Sequence, residues 1–457
     1  MSSVSAATRS RIAVVGSGIA GLSAAWLLSQ KHTVTVFEAG DWLGGHTHTV
    51  DVTLEGITHG VDTGFLVFNR QTYLHLVPMF EYLQIPMADS EMTFSLALES
   101  PDLQWSGTSL RTLFAQRRNL FRPGFLRMLR DILRFNREAA AYAQHDAALN
   151  TTNETLTLGA FLQQGRYSAE FRDWYLGPMS AAIWSCPTQV MLDYPFPAFA
   201  RFFHNHGLLR IAQRPPWYTV RGGARQYVDK LAHAIVQAGG EIQRATRVNQ
   251  VERFAHGVQL VSQHTAENAS TASKTHSFDA LVLACHSDEA LRILGAGATQ
   301  AEQRVLKGIG WQSNRAILHT DTQLLPSDPR VWSAWNYTAG HDTPDGRAVA
   351  VHYLINKLQP LPFRTPVIVS LNPHRLPAPE KILGDYAYAH PMFGHGASAA
   401  QAELPQLQGQ QRTWFCGAWT GHGFHEDGLR SALTVAASFG IDAPWQRHAS
   451  TTLRAAA

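Results

Sequence analysis

Apolar residues fall in short unbroken runs near the start of this chain and again at intervals further along it. Ile12-Ala-Val-Val15 is closed by Gly16-Ser17-Gly18, and a dense apolar stretch from Ile19 to Leu28 follows. A short apolar run bounded by turn residues is the pattern of a strand covered on both faces. Val34-Thr-Val-Phe37 repeats that pattern and ends on Glu38. Further on, a helix is predicted from about Arg225 to Ala238, behind Gly222 and Gly223. Strands are predicted over Glu241–Val251 and Ala280–Ala284, and a third over Trp414–Cys416. The last of these runs into a glycine-rich turn, with a helix over Leu429–Ser438 beyond it. Residues 76–217 read as helical, and 291–409 as mixed strand and loop, rich in proline between Leu325 and Pro379. Ser262–Ser277 is polar and reads as a hairpin tip exposed to water.

One stretch has a separate character. From Arg111 to Arg137 the chain is strongly basic. Helical spacing puts Arg127, Arg130, Arg134 and Arg137 on one side, and Phe125, Met128, Leu129, Ile132 and Leu133 on the other. Such a helix can lie on anionic lipid, but an ordinary helix with a solvated charged face is the favoured reading.

The opening pattern carries chemistry. Gly16 permits a tight turn, Gly18 lets the backbone approach a pyrophosphate, and Gly21 lets the helix pack closely. Ser17, Ile19 and Ala20 complete the turn, whose helix N-terminus aims its amides at phosphates. Glu38, about 20 residues on, is placed to accept hydrogen bonds from a ribose diol, with Ala39 beside it. A second glycine pair follows in Leu43-Gly44-Gly45-His46-Thr47, and a second pair just after the acid is typical of proteins that bind FAD. The expected architecture is therefore α/β. A discontinuous Rossmann-like FAD-binding domain is assembled from residues 10–75, 218–290 and 410–445, and a second, α+β substrate domain from 76–217 and 291–409.

Bulk properties narrow the function classes. A length of 457 residues allows two domains and a large core. A net charge of +3 gives no reason to expect a nucleic-acid partner. The 3 cysteines, Cys186, Cys285 and Cys416, are scattered and odd in number, which argues for a reducing compartment rather than a disulfide framework. The first residues are polar and lead directly into the cofactor strand, and no run reads as a bilayer span. The expected location is cytoplasmic, with a peripheral position at the inner face of the membrane as the alternative.

Five further motifs extend the fingerprint along the chain. They are Gly60-Val-Asp-Thr-Gly-Phe-Leu-Val-Phe-Asn69, Ala182-Ile-Trp-Ser185, Thr219-Val-Arg-Gly-Gly-Ala-Arg225, Val282-Leu-Ala-Cys-His-Ser-Asp288 and Trp414-Phe-Cys-Gly-Ala-Trp-Thr-Gly-His-Gly-Phe-His-Glu-Asp-Gly428. In this order, from about Arg11 to Trp445, the chain resembles the flavin-containing amine oxidase and phytoene desaturase superfamily. It is most similar to a bacterial branch of amine-oxidase-like FAD-dependent oxidoreductases. The resemblance implies non-covalent FAD, with Thr63, Gly64 and Phe65 near the flavin ring and Val248 giving backbone contacts to the adenine. It also implies that Gly417, Gly428 and Leu429 face the pyrophosphate and pyrimidine end.

Three departures from the amine oxidases bear on the reaction. His46 stands where they often carry arginine. Arg315, within Ser313-Asn-Arg-Ala-Ile-Leu-His319, falls in the slot of a lysine that bridges to the flavin, and arginine is no proton acceptor. Phe424 or His425 replaces a tyrosine of the aromatic cage. The candidate catalytic residues are His425, Glu426 and Arg315. The alternative for the His422, His425, Glu426 and Asp427 group is that it caps the following helix. No metal site is expected, because an i, i+3 histidine pair on a loop is weak support for one. The expected activity is FAD-dependent removal of a hydride from a hydrophobic substrate, such as a lipid acyl chain that becomes desaturated. A flavin amine oxidase and a redox-neutral FAD-dependent lipid isomerase are the alternatives.

Overall fold

The computed structural model describes residues 9–149, 156–184, 188–211, 213–265, 272–343 and 346–446. Ser185, Cys186 and the tip of the Ser262–Ser277 segment lie outside the described residues. Arg11–Val15 is the central strand of a 5-stranded parallel sheet. Ala280–Leu283 and then Thr413–Phe415 lie on one side of it, and Thr33–Phe37 and then Glu241–Gln243 on the other. Strands from three widely separated segments thus make one sheet.

The helix Ile19–Ser29 packs between Arg225–Gln237 and His425–Ser438 on one face of this sheet. All of its residues are buried, which explains why its apolar run is dense rather than striped. The other face is covered by the 3-stranded antiparallel sheet of Thr246–Phe254, Gly257–His264 and Lys274–Phe278, and by the helix Ser287–Leu294.

Of the remaining described strands, some pair in two 2-stranded sheets, and the other seven build a 7-stranded mixed sheet. The helices Pro123–Leu149, Gly177–Trp184 and Phe196–Asn205 share one apolar core with its inner face. Among the described residues, no helix is long and apolar enough to cross a membrane.

Several expectations need correction. The 76–217 stretch is not purely helical, because Phe94–Leu98 and Leu103–Ser106 are strands of the large sheet. Phe94–Leu98 is held there by parallel pairing with Trp335–Thr343. The expected strand Glu241–Val251 is two strands in two sheets, broken at Ala245, whose φ of +48° turns the chain. The last helix begins at His425 rather than Leu429.

The basic segment also differs from its helical wheel. Its helix starts only at Pro123, after the 3-10 turn Arg117–Phe121. Leu133 points outward among the arginines, while Arg134 turns in over the Tyr167 ring at 3.8 Å.

Candidate active site

A single cavity of about 770 Å³ joins the parallel sheet to the large sheet. Its floor is the first glycine turn. Gly16 has a φ of +102°, and a Cβ there would sit 2.9 Å from the Ala284 carbonyl oxygen. A Cβ on Gly21 would overlap the Gly16 carbonyl oxygen, so the helix can approach the turn only as glycine. A Cβ on Gly18 would meet nothing, because it would project into open space. Gly16, Ser17, Gly18, Ile19 and Ala20 all line the cavity, whereas Gly21 lies behind them.

The second glycine pair is tied to the first turn. Gly44 donates from its N–H to the Ser17 carbonyl at 3.0 Å, and Gly45 lies against Gly18. Glu38 is held in place by the Ser17 N–H at 2.9 Å, the Ser17 hydroxyl at 2.6 Å and the Gly40 N–H at 2.8 Å. Glu38, Ala39 and Val248 line the same end of the cavity.

His46 comes next, its ring 5.1 Å from His390 and 6.4 Å from His286. Burial and these neighbouring imidazoles hold it well below the usual histidine range. Its Nε2 is buried and has no hydrogen-bond partner. An orphaned nitrogen, a glycine floor with open space above it and an oriented carboxylate together fit the phosphates and ribose of FAD.

Thr63, Gly64 and Phe65 continue the lining. They are positioned by Asp62, which accepts from the Thr49 hydroxyl, the Ala224 N–H at 3.0 Å and Gln359 Nε2 at 2.7 Å. Burial pushes the Asp62 carboxyl up to about 7, against the pull of those donors. Tyr388 shares a 2.6 Å hydrogen bond with Thr63 Oγ1. His390 lies two residues along the same strand, and burial pushes it down to about 4. Asn314 donates to its Nδ1 at 3.0 Å, which leaves the proton of the neutral ring on Nε2.

Of the candidate catalytic residues, only His425 lines the cavity. Its ring stacks on Phe65 at 3.7 Å, its Nε2 bonds Thr47 Oγ1 at 2.8 Å, and burial pushes it down to about 3. Glu426 is committed elsewhere. Its carboxylate accepts from the His75 and Leu76 N–H groups at 2.9 and 3.0 Å, closing the start of the helix Leu76–Tyr82. Asp427 accepts from the His422 and Phe424 N–H groups and so holds the turn, as a capping role requires.

Arg315 is exposed, paired with Asp385 and absent from the cavity lining, which removes it from the expected place beside the ring. Thr47, Gly428 and Leu429 are also set back from the cavity. Thr47 bridges His425 and Tyr227, while Gly428 lets the last helix pack on Ile19 and Leu429 is buried in the core. Gly417 does line it.

The sequence reading named Phe424 and carried Trp184 in a motif, but it missed Phe202, Met92, Phe94 and Met179 at the far end of the cavity. Phe424 stacks on Phe202 at 5.1 Å, and Trp184 lies 4.7 Å from Phe202. Tyr388 and His390 were missed as well, although Tyr386-Ala-Tyr388-Ala-His390 alternates with the period of a strand and could have shown them. The two described thiols, Cys285 and Cys416, stay protonated at neutral pH. Burial pushes Cys285 up, and Cys416 up to about 12. Among the described residues, no group of three His, Cys, Asp or Glu side chains is set to hold a metal ion.

Known structures share this fold. The CLA-producing fatty acid isomerase from P. acnes is 14% identical, covering 96% of this chain and 100% of that one, with a TM-score of 0.64. Cyclohexylamine oxidase from Brevibacterium oxydans IH-35A is 16% identical, covering 94% and 100%, with a TM-score of 0.63. Putrescine oxidase bound to putrescine is 15% identical, covering 94% and 99%, with a TM-score of 0.62. No curated protein matches the chain by sequence. The family model for flavin-containing amine oxidoreductases matches residues 19–438. With that match running from the first helix to the last, the chain belongs to the flavin-containing amine oxidoreductase family and is an FAD-dependent oxidoreductase.

Proposed function

We propose that the protein takes a hydride from an apolar substrate, and that a lipid acyl chain is the class its cavity suits best. One observation carries this reading. Beyond Phe65 the cavity runs on between Met92, Phe94, Met179, Ile183 and Trp184, with no carboxylate among the described lining residues at that end. The lining carboxylates are Glu38, at the ribose end, and Glu289, on the helix that packs against the Val248 strand. An ammonium group drawn into the apolar end would lose its hydration and gain no counter-charge. An acyl chain would instead gain about 0.8 kcal/mol for each methylene buried. Arg214, exposed and lining that same end, offers an anchor for a carboxylate or phosphate head.

FAD supplies a hydride acceptor at N5 of its ring. The chain's own work is orientation and exclusion of water. The stacked Phe202–Phe424 pair closes one side, and Tyr388 and Thr63 hold the polar strip opposite. Neighbours named for fatty acid isomerisation and for amine oxidation indicate that this fold houses both chemistries.

The test is an anaerobic absorbance titration of the yellow holoprotein with free fatty acids, phospholipids and a panel of amines. Bleaching of the flavin band by an acyl substrate supports the proposal. Bleaching by amines alone overturns it in favour of amine oxidation. Rearranged lipid product formed without lasting bleaching or oxygen use overturns it in favour of isomerisation.

A further inference from the structure

The segment 111–137 carries 8 arginines and 1 acidic residue, Asp131. Several of these charges are neutralised at home. Arg118 pairs with Asp102, Arg127 with Glu170, and Arg134 lies 3.7 Å from Asp131. Among the described residues, Arg111, Arg117 and Arg137 form no ion pair, and Arg130 reaches Asp131 only at 3.4 Å with its side chain largely in water.

The apolar side chains between them are divided. Phe125, Met128 and Phe135 are fully buried in the core, so the helix's main apolar side already has its partner. Leu126 and Leu133, at 45% and 59% exposure, lie instead on the outward face, and their spacing of 4, 3 and 4 residues with Arg130 and Arg137 sets all four in one row. Phe121, at the end of the preceding turn, is 85% exposed, and Leu110 is 77% exposed.

Large apolar side chains left in water among unneutralised arginines suit a surface that is apolar below and anionic above. A nucleic acid or an acidic protein would use the arginines and gain nothing from Phe121 or Leu133. We infer that the Arg117–Phe121 turn and the outward row of the Pro123–Leu149 helix dock the protein on an anionic lipid surface. Phe121, Leu126 and Leu133 enter the acyl boundary, while Arg117, Arg130 and Arg137 sit among the headgroups.

The docked face also backs the substrate end of the cavity. Phe135 of this helix packs on Phe196 and Phe199 at 6.4 and 6.3 Å, and their helix carries Phe202 into the cavity wall. The inference deepens the lipid reading above and rests on it for its purpose, but vesicle binding is measured without turnover, so the two can fail separately.

The experiment is co-sedimentation of the FAD-loaded protein with vesicles of phosphatidylcholine alone and of phosphatidylcholine with phosphatidylglycerol, at low and high salt. Binding should require phosphatidylglycerol and weaken with salt. R130Q and R137Q should each weaken it by roughly fivefold. F121S/L133S should weaken it at both salt concentrations, with the flavin spectrum unchanged as the check on folding. No binding to the anionic vesicles, or binding that these variants leave intact, overturns the inference. Retention on an anionic polymer that F121S/L133S does not reduce, without vesicle binding, overturns it in favour of a nucleic-acid or acidic-protein partner.

Discussion

Replacing Asp62 by asparagine should change how stability depends on pH, and in one direction only. Asp62 is fully enclosed between Thr49, Ala224 and Gln359, and burial lifts its carboxyl from 3.8 to about 7. The folded chain therefore holds this proton at pH values where the unfolded chain has released it. Its contribution to stability is complete below about pH 4 and is lost as the pH rises towards 7. At about 1.4 kcal/mol for each pH unit, the whole displacement is worth about 4 kcal/mol, of which about 3 kcal/mol falls above pH 5. D62N has no proton to lose. Its amide satisfies the three donors less well, but that deficit is a constant offset and leaves the slope untouched. Guanidinium unfolding of the holoprotein at pH 5 and pH 8, followed by flavin fluorescence to report loss of the cofactor half, measures the difference. The stability of D62N relative to wild type should rise by about 3 kcal/mol between those pH values. A difference that stays level within about 0.5 kcal/mol would mean that the three donors hold the carboxylate ionised, and the reasoning from burial would be wrong.

Other perturbations separate the roles assigned above. G21A forces a Cβ into the Gly16 carbonyl, a conflict of about 1–3 kcal/mol at the glycine floor, and purified protein should carry less than about a tenth of the normal flavin. Burial keeps His46 neutral at pH 6 and at pH 9, so its orphaned Nε2 can donate to a phosphate oxygen as the N–H tautomer, and the affinity of apoprotein for FAD should be level between those pH values. H46F, which removes the donor, should weaken FAD binding by roughly tenfold in calorimetric titrations, and an affinity unchanged in H46F would exclude His46 as a phosphate ligand. E426Q weakens the closure of the Leu76–Tyr82 helix and should cost about 1 kcal/mol in thermal or chemical unfolding. R315A, which breaks only a surface pair with Asp385, should leave the rate of flavin reduction within about twofold.

The cofactor half could be read from the sequence because its physics is local. Gly16, Gly18, Gly21 and Glu38 lie in one strand–turn–helix–strand unit, and the spacing alone dictates the turn. The substrate half could not be read this way. Phe94–Leu98 is a strand because Trp335–Thr343 pairs with it, and no window of local sequence contains both. Glu426 reads as chemistry in its own turn, yet the amides that consume it belong to His75 and Leu76, 350 residues earlier. Arg315 was assigned through a single matched slot. Its strand in fact turns that side chain to Asp385 on the surface. Leu133 was grouped with the apolar side by its residue type, whereas helical spacing sets it in a row with Arg130 and Arg137, and its exposure follows that spacing.

The order in which the parallel sheet is assembled has a consequence for synthesis. Arg11–Val15 is made well before its neighbour but one, Thr413–Phe415, and before the helix His425–Ser438 that packs on Ile19–Ser29. Pairings this distant in sequence carry a large loop-closure cost and form slowly. The glycine floor can therefore exist as a nascent turn without its far wall while the intervening residues are made. FAD capture then waits for Thr413–Phe415 and the turn beyond it, and the growing chain has its greatest need of chaperone protection while the apolar face of Ile19–Ser29 waits for His425–Ser438.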